Sequence, residues 1–188
     1  MRLIPKKPIL WAGSLAAVLS LTMCDVVTVE VSRLLFPAKI IDFPMGEGKT
    51  ISYPINSWVK KPYGIMLKTE YINYQKAYDA ARKNIPYDFL IKCYRMENGK
   101  KIIFYENKYS MKNDERNLFY GSFGWSPEDS NHPDAEGLSS TFDGLDLSYG
   151  QYRCDFEDKS SPEIKAYLKE AGVIRTAIQI SPYKLWFY

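Results

Sequence analysis

The sequence predicts a mainly β chain: an antiparallel β-sandwich with one or two short helices, placed after an N-terminal signal or anchor helix. Three observations lead there. Eight or so short segments with two-residue alternation follow one another at close spacing. The connections between them carry strand-to-strand turn signals and not the helical crossovers of a parallel sheet. Tyrosine dominates the aromatic content, with 15 Tyr beside 9 Phe and 4 Trp, which suits half-buried strand faces and contact surfaces. The 188 residues allow one domain and an appendage. We divide them into 1–23, a signal peptide or membrane anchor; 24–48, a tether and possible first strand; and 49–188, the sandwich.

The elements follow in order. The β-branched run Val26–Val31 is a first strand or the tail of the anchor. Ile51, Tyr53 and Ile55 alternate with polar neighbours, as do Ile65, Leu67, Thr69 and Tyr71, and each set reads as a half-buried strand. Residues 73–83 are rich in helix formers, with Asn73 placed to cap them and Pro86 beyond their end. Phe89–Arg95 is a strand, Asn98-Gly99 a two-residue hairpin turn, and Lys101–Tyr109 the returning strand. Residues 117–125 form a strand whose glycines allow a bulge. After a polar loop, Leu138–Leu147 and Gln151–Glu157 are strands. Ser160-Ser-Pro-Glu163 is a capping box opening a short helix that stops at Gly172, and Ile174–Ile180 is the last strand.

The formal charge of +3 sits at the N-terminus. Arg2, Lys6 and Lys7 are unopposed there, and the remainder holds 22 basic and 22 acidic residues. A neutral body lacks the net positive charge of a phosphate-binding domain, so nucleic acid is not the expected partner. Behind the cations, Ile9–Met23 is an uncharged, apolar run of signal-peptide length. As a helix it rises only about 22 Å, short of a roughly 30 Å hydrocarbon core. Export is the expectation.

Leu21-Thr-Met-Cys24 resembles a bacterial lipobox, with Met23 where the pattern prefers Gly, Ala or Ser. That resemblance implies lipidation at Cys24, and Asp25 then resembles the signal that retains lipoproteins in the inner membrane. The rival readings are an uncleaved anchor from Ile9 to about Val29 and a plain secretory signal. With Cys24 assigned to the membrane end, Cys93 and Cys154 remain as an even pair in an oxidising compartment. Both lie on the apolar side of alternating segments. A bridge between them would close a loop of about 60 residues and contribute about 4 kcal/mol in the chain-entropy model; two buried free thiols are the alternative. No C-x-x-C occurs, and His132 is the single histidine, so neither a metal site nor a cofactor is expected.

Ser148-Tyr-Gly-Gln-Tyr152-Arg-Cys154 resembles the immunoglobulin tyrosine corner, in which a tyrosine two residues before the second cysteine ties down a strand. The resemblance implies an immunoglobulin-like sandwich with an inter-sheet bridge. Ser148 stands where aspartate is usual, and Tyr105 where a tryptophan would follow Cys93. The whole chain also resembles, in architecture, exported bacterial lipoproteins of unknown function, some of which neutralise secreted toxins as immunity proteins.

Catalytic patterns are absent: no G-x-S-x-G, Walker loop, G-x-G-x-x-G, H-E-x-x-H or EF-hand sequence occurs, and no enzyme is expected. Charge is segregated instead. Residues 117–152 hold no Lys or Arg but carry Glu128, Asp129, Asp134, Glu136, Asp143 and Asp146, whereas 58–116 hold 13 basic and 7 acidic residues. One reading is a solvated loop balanced by internal salt bridges. The other is a surface for a basic protein partner, a toxin or effector, with Trp125, Phe142 or Tyr149 as anchors. The expected function is a periplasmic binding protein tethered to the inner membrane (or the outer one). The alternative is a structural or assembly lipoprotein of the envelope or a secretion apparatus.

Overall fold

In the computed structural model of the chain, the described residues are 38–57, 60–72, 75, 79, 84–111, 119, 122–125 (backbone only) and 135–182. The chain divides into two compact units, Met1–Pro37 and Ala38–Tyr188. The expected signal segment, Cys24 and the strand at 26–31 lie outside the described residues.

The strands described are β1 (Ile40–Asp42), β2 (Thr50–Ser57), β3 (Lys61–Tyr71), β4 (Asp88–Glu97), β5 (Lys100–Ser110), β6 (Ser122–Trp125), β7 (Glu136–Leu147), β8 (Gly150–Asp158) and β9 (Val173–Pro182), with helix α1 (Ile164–Glu170) before the last. They form a five-stranded sheet in the order β1-β9-β3-β7-β6 and a four-stranded sheet in the order β2-β8-β4-β5. Every described pairing is antiparallel. Of the helix expected over 73–83, only Gln75 and Asp79 are described; both are helical, and the Gln75 amide donates to the Asp79 carboxylate at 3.0 Å.

One aromatic core fills the space between the sheets. Phe43, just after β1, meets Phe89 of β4 and Phe156 of β8 at centroid distances of 5.6 and 6.3 Å, while Phe142 of β7 meets Phe89 and Tyr109 at 5.8 and 5.1 Å. The domain therefore begins before residue 49. Phe43 and Met45 are core residues, and the Phe43 backbone pairs with Thr176 of β9. Tyr53 donates to the Lys39 carbonyl at 2.5 Å and holds the same segment.

Cys93 and Cys154 are joined, both fully buried. Their bridge does not cross the layers. The cysteines face each other on β4 and β8, neighbours in one sheet, with Cα atoms 4.0 Å apart. The reason is strand assignment: the first cysteine falls on the strand beside β8, whereas the immunoglobulin plan puts it on the opposing sheet. Here β9 lies beside β3 and β2 beside β8. The tyrosine corner is formed: the Tyr152 hydroxyl reaches the Ser148 carbonyl at 3.2 Å and the Ser148 hydroxyl at 2.9 Å.

Helix α1 starts differently from the expected capping box. Glu163 is its N-cap and makes no side-chain cap bond. The Ser160 hydroxyl instead bonds both the N–H and the carbonyl of Asp88, each at 3.0 Å, fastening β8's exit to the start of β4. Gly172 ends the helix at φ 76°.

Candidate interaction surface

The hairpin β4–β5 positions the site. Asn98 and Gly99 both have positive φ, 49° and 76°, and Glu97 pairs with Lys100, the geometry of a two-residue turn with left-handed central residues. Among the described strands β5 is an edge of its sheet. Tyr94 pairs with Ile103 and Cys93 with Tyr105, so Phe104 is an extra residue, a β-bulge.

The bulge divides β5 into two parts with different roles. Its distal part, Tyr105 to Tyr109, is clasped against the other sheet. Tyr105, Tyr109 and Asn107 share the face toward β7, where Tyr105 and Tyr109 both donate to the Asp143 carboxylate and are 2.5 Å from each other. A second bulge enables this. Ile65 pairs with Asp143 and Met66 with Thr141, so Phe142 is the additional residue. Consecutive side chains, Phe142 and Asp143, are thus both turned to the four-stranded sheet. Burial, reinforced by the negative Asp143, pushes the Tyr105 hydroxyl well above the ordinary tyrosine value.

The proximal part projects past the core. Ile102, Ile103 and Phe104 are 48%, 53% and 40% exposed. Phe104 packs edge-on against Tyr152 at 5.4 Å, which places it on the core-facing side. Ile102, opposite Arg95 and hence in line with Tyr152, shares that side; Ile103, opposite Tyr94, takes the outer side. Tyr149, exposed in the β7–β8 turn, lies at the same end of the sheet. Solitary exposed apolar residues are ordinary, whereas a run on an unpaired edge calls for a partner or a defence.

Around this run the outer face is charged and internally paired. Lys92 bonds Glu106 at 3.0 Å, which raises the lysine's pKa, while on the core-facing side, beyond the core, Arg95 bonds Glu97 at 3.1 Å. Burial works to raise Asp155, but the Ser52 hydroxyl and the Arg153 guanidinium outweigh it and hold the carboxyl below its usual range. Lys101 sits 4.9 Å over the Tyr94 ring and 3.9 Å from Asp155.

The expected acidic surface is not assembled by its described members. Glu136 is half-buried and opposite Tyr71; Asp146 is exposed and opposite Pro62, ten positions further along β7 or about 33 Å. Asp143 is half-buried and its carboxylate is bonded by the two tyrosines. Trp125 lies on β6, and Gly124 beside it is the anticipated bulge residue. Glu128, Asp129, Asp134 and His132 lie outside the described residues. The apolar run was missed, although a signal existed: three consecutive apolar residues cannot all enter one buried strand face.

A cleft of about 380 Å³ opens between α1, β9 and the 44–47 loop. Its acids are committed, Asp42 to Arg175 at 2.7 Å and Glu47 to Lys165 at 3.2 Å. No cluster of three or more His, Cys, Asp or Glu suited to a metal exists among the described residues. No helix among them is long and apolar enough to cross a membrane.

No family model matches this chain, and no curated protein does. Among solved structures, a protein from Sulfurospirillum deleyianum aligns over 78% of this chain and 98% of its own, at 9% identity and a TM-score of 0.47. That likeness is too distant to assign a fold family or a role.

Proposed function

We propose that this chain is a membrane-tethered periplasmic binding protein that acts through a protein–protein surface at the β4–β5 end of its sandwich. The observation that carries the reading is the exposed run Ile102-Ile103-Phe104 on an edge strand, with Tyr149 at the same end. Aromatic and aliphatic anchors of this kind supply most of the binding energy in protein interfaces. The buried disulfide supports an oxidising compartment. The apolar N-terminal run behind three cations supports the tether, with lipidation at Cys24 as its leading form. In its most specific form the protein neutralises a secreted toxin or effector by covering its active site, which requires a rigid surface and no chemistry of its own. An immunoglobulin-like kinship belongs to the same proposal and is supported by the Tyr152 corner.

The test is capture from periplasmic extract by the full chain in detergent. Replacing Phe104 and Tyr149 by serine should reduce recovery of a specific partner by at least about tenfold, the loss of one modest hot spot, while the melting curve shows the variant folded at the assay temperature. Equal recovery by wild type and variant would remove this surface from the proposal.

A further inference from the structure

The same edge carries a pattern that specifies its own partner. Cross-strand neighbours share a face of the sheet, so the register with β4 assigns each β5 side chain. Lys101, Ile103, Glu106 and Lys108, opposite Met96, Tyr94, Lys92 and Leu90, stand in one row on the outer face. Without the bulge at Phe104, Glu106 would fall on the other side. With it, a lysine and a glutamate flank Ile103.

We propose that two copies of this chain pair edge to edge through β5, antiparallel and two-fold symmetric about Ile103. An antiparallel self-pairing sets the residue at the axis against its own copy. Lys101 or Lys108 at the axis would oppose two ammonium groups, and Glu106 two carboxylates; like charges directly opposite destabilise a sheet. Ile103 is the neutral member of the row, half exposed and β-branched. With Ile103 at the axis, Lys101 of each copy meets Glu106 of the other, twice by symmetry. On the core-facing side Ile102 meets Phe104 of the second copy, which covers the two most awkward exposed side chains of the edge. The Glu106–Lys92 pair is exposed and gives up little when Glu106 is shared. A two-fold contact is self-complementary and closes, so it uses up the edge without starting a fibre. The bulge limits the contact to the segment around Lys100–Glu106. The inference goes beyond the partner-binding reading: it places Ile102 and Phe104 of two copies beside one another, and it does not need a second protein.

Cross-linking of the full chain in an oxidising periplasm tests it. Ile103→Cys should form a disulfide-linked dimer on non-reducing gels well above the level of the unaltered chain, and Lys108→Cys, off the axis, should not. In detergent, Glu106→Lys should weaken the dimer about tenfold by converting two attractive pairs to repulsive ones, and adding Lys101→Glu should restore it. Melting curves separate loss of pairing from loss of fold. Sedimentation of the unaltered chain as a monomer, equal cross-linking at positions 103 and 108, or no rescue by the charge exchange would each overturn the pairing. A monomer whose Phe104 and Tyr149 variant still loses its periplasmic partner would leave the proposed function standing.

Discussion

Tyr105, Tyr109 and Asp143 make a polar contact between the layers, and their chemistry sets two expectations. Asp143→Ala deprives two partly buried hydroxyls of their acceptor. It should lower stability by about 1–3 kcal/mol, measured by urea unfolding, the cost of leaving buried donors unsatisfied. Tyrosine burial also predicts an alkaline limit. Burial raises Tyr71 to about 12 and raises Tyr53, Tyr63 and Tyr105 as well. Above the ordinary tyrosine value of about 10, the unfolded chain sheds protons that the folded chain keeps. Stability is therefore complete below about pH 10 and falls as pH climbs through the raised values. Melting temperature against pH checks this, and Tyr105→Phe should lessen the decline. Little of this cluster could be read from the sequence. The sequence places Asp143 on a strand among acids read as a surface, and only the bulge at Phe142 turns it toward the tyrosines.

At the scale of elements, the 44–48 segment shows how a loop becomes part of a core. Asp158, at the end of β8, accepts the N–H groups of Glu47 and Gly48, each at 2.9 Å, and that of Ser160 at 3.0 Å. The loop is thereby pressed on α1, where Gly46 has φ +79° and an added Cβ would lie 2.6 Å from Ile164 Cγ2. Gly46→Ala combines a left-handed backbone with overpacking and should cost about 1–3 kcal/mol. Thermal denaturation measures it, with Gly48→Ala as the control: that site is equally left-handed but open around its Cβ, so it should cost less. The strands themselves were well marked in the sequence, because period-two alternation and Asn98-Gly99 are local signals. The loop was not: Phe43, Pro44 and Met45 show no periodicity, and Phe43 is buried by Phe89 and Phe156, which are distant in sequence.

For the molecule as a whole, the cross-link at the centre of the four-stranded sheet governs stability. It joins residues 61 apart in sequence. Replacing both cysteines by alanine should lower the unfolding free energy by about 2–5 kcal/mol, seen in denaturant titration. Because both sulfurs are fully buried, thiol labelling after mild reduction should track global unfolding and not a local opening.

The sequence by itself determined where most strands run, that Asn98-Gly99 reverses the chain, that Tyr152 closes a corner on Ser148, and which two cysteines pair. These follow from rules acting over a few residues: alternation, turn chemistry and parity of thiols. The tertiary structure alone decided which strands are neighbours. Hence it alone placed the disulfide inside one sheet, drew Asp143 to the tyrosines, put Phe43 in the core and left Ile102, Ile103 and Phe104 at an open edge. Alternation says that a side chain faces an interior; long-range register, and the bulges that shift it, say whose interior it is.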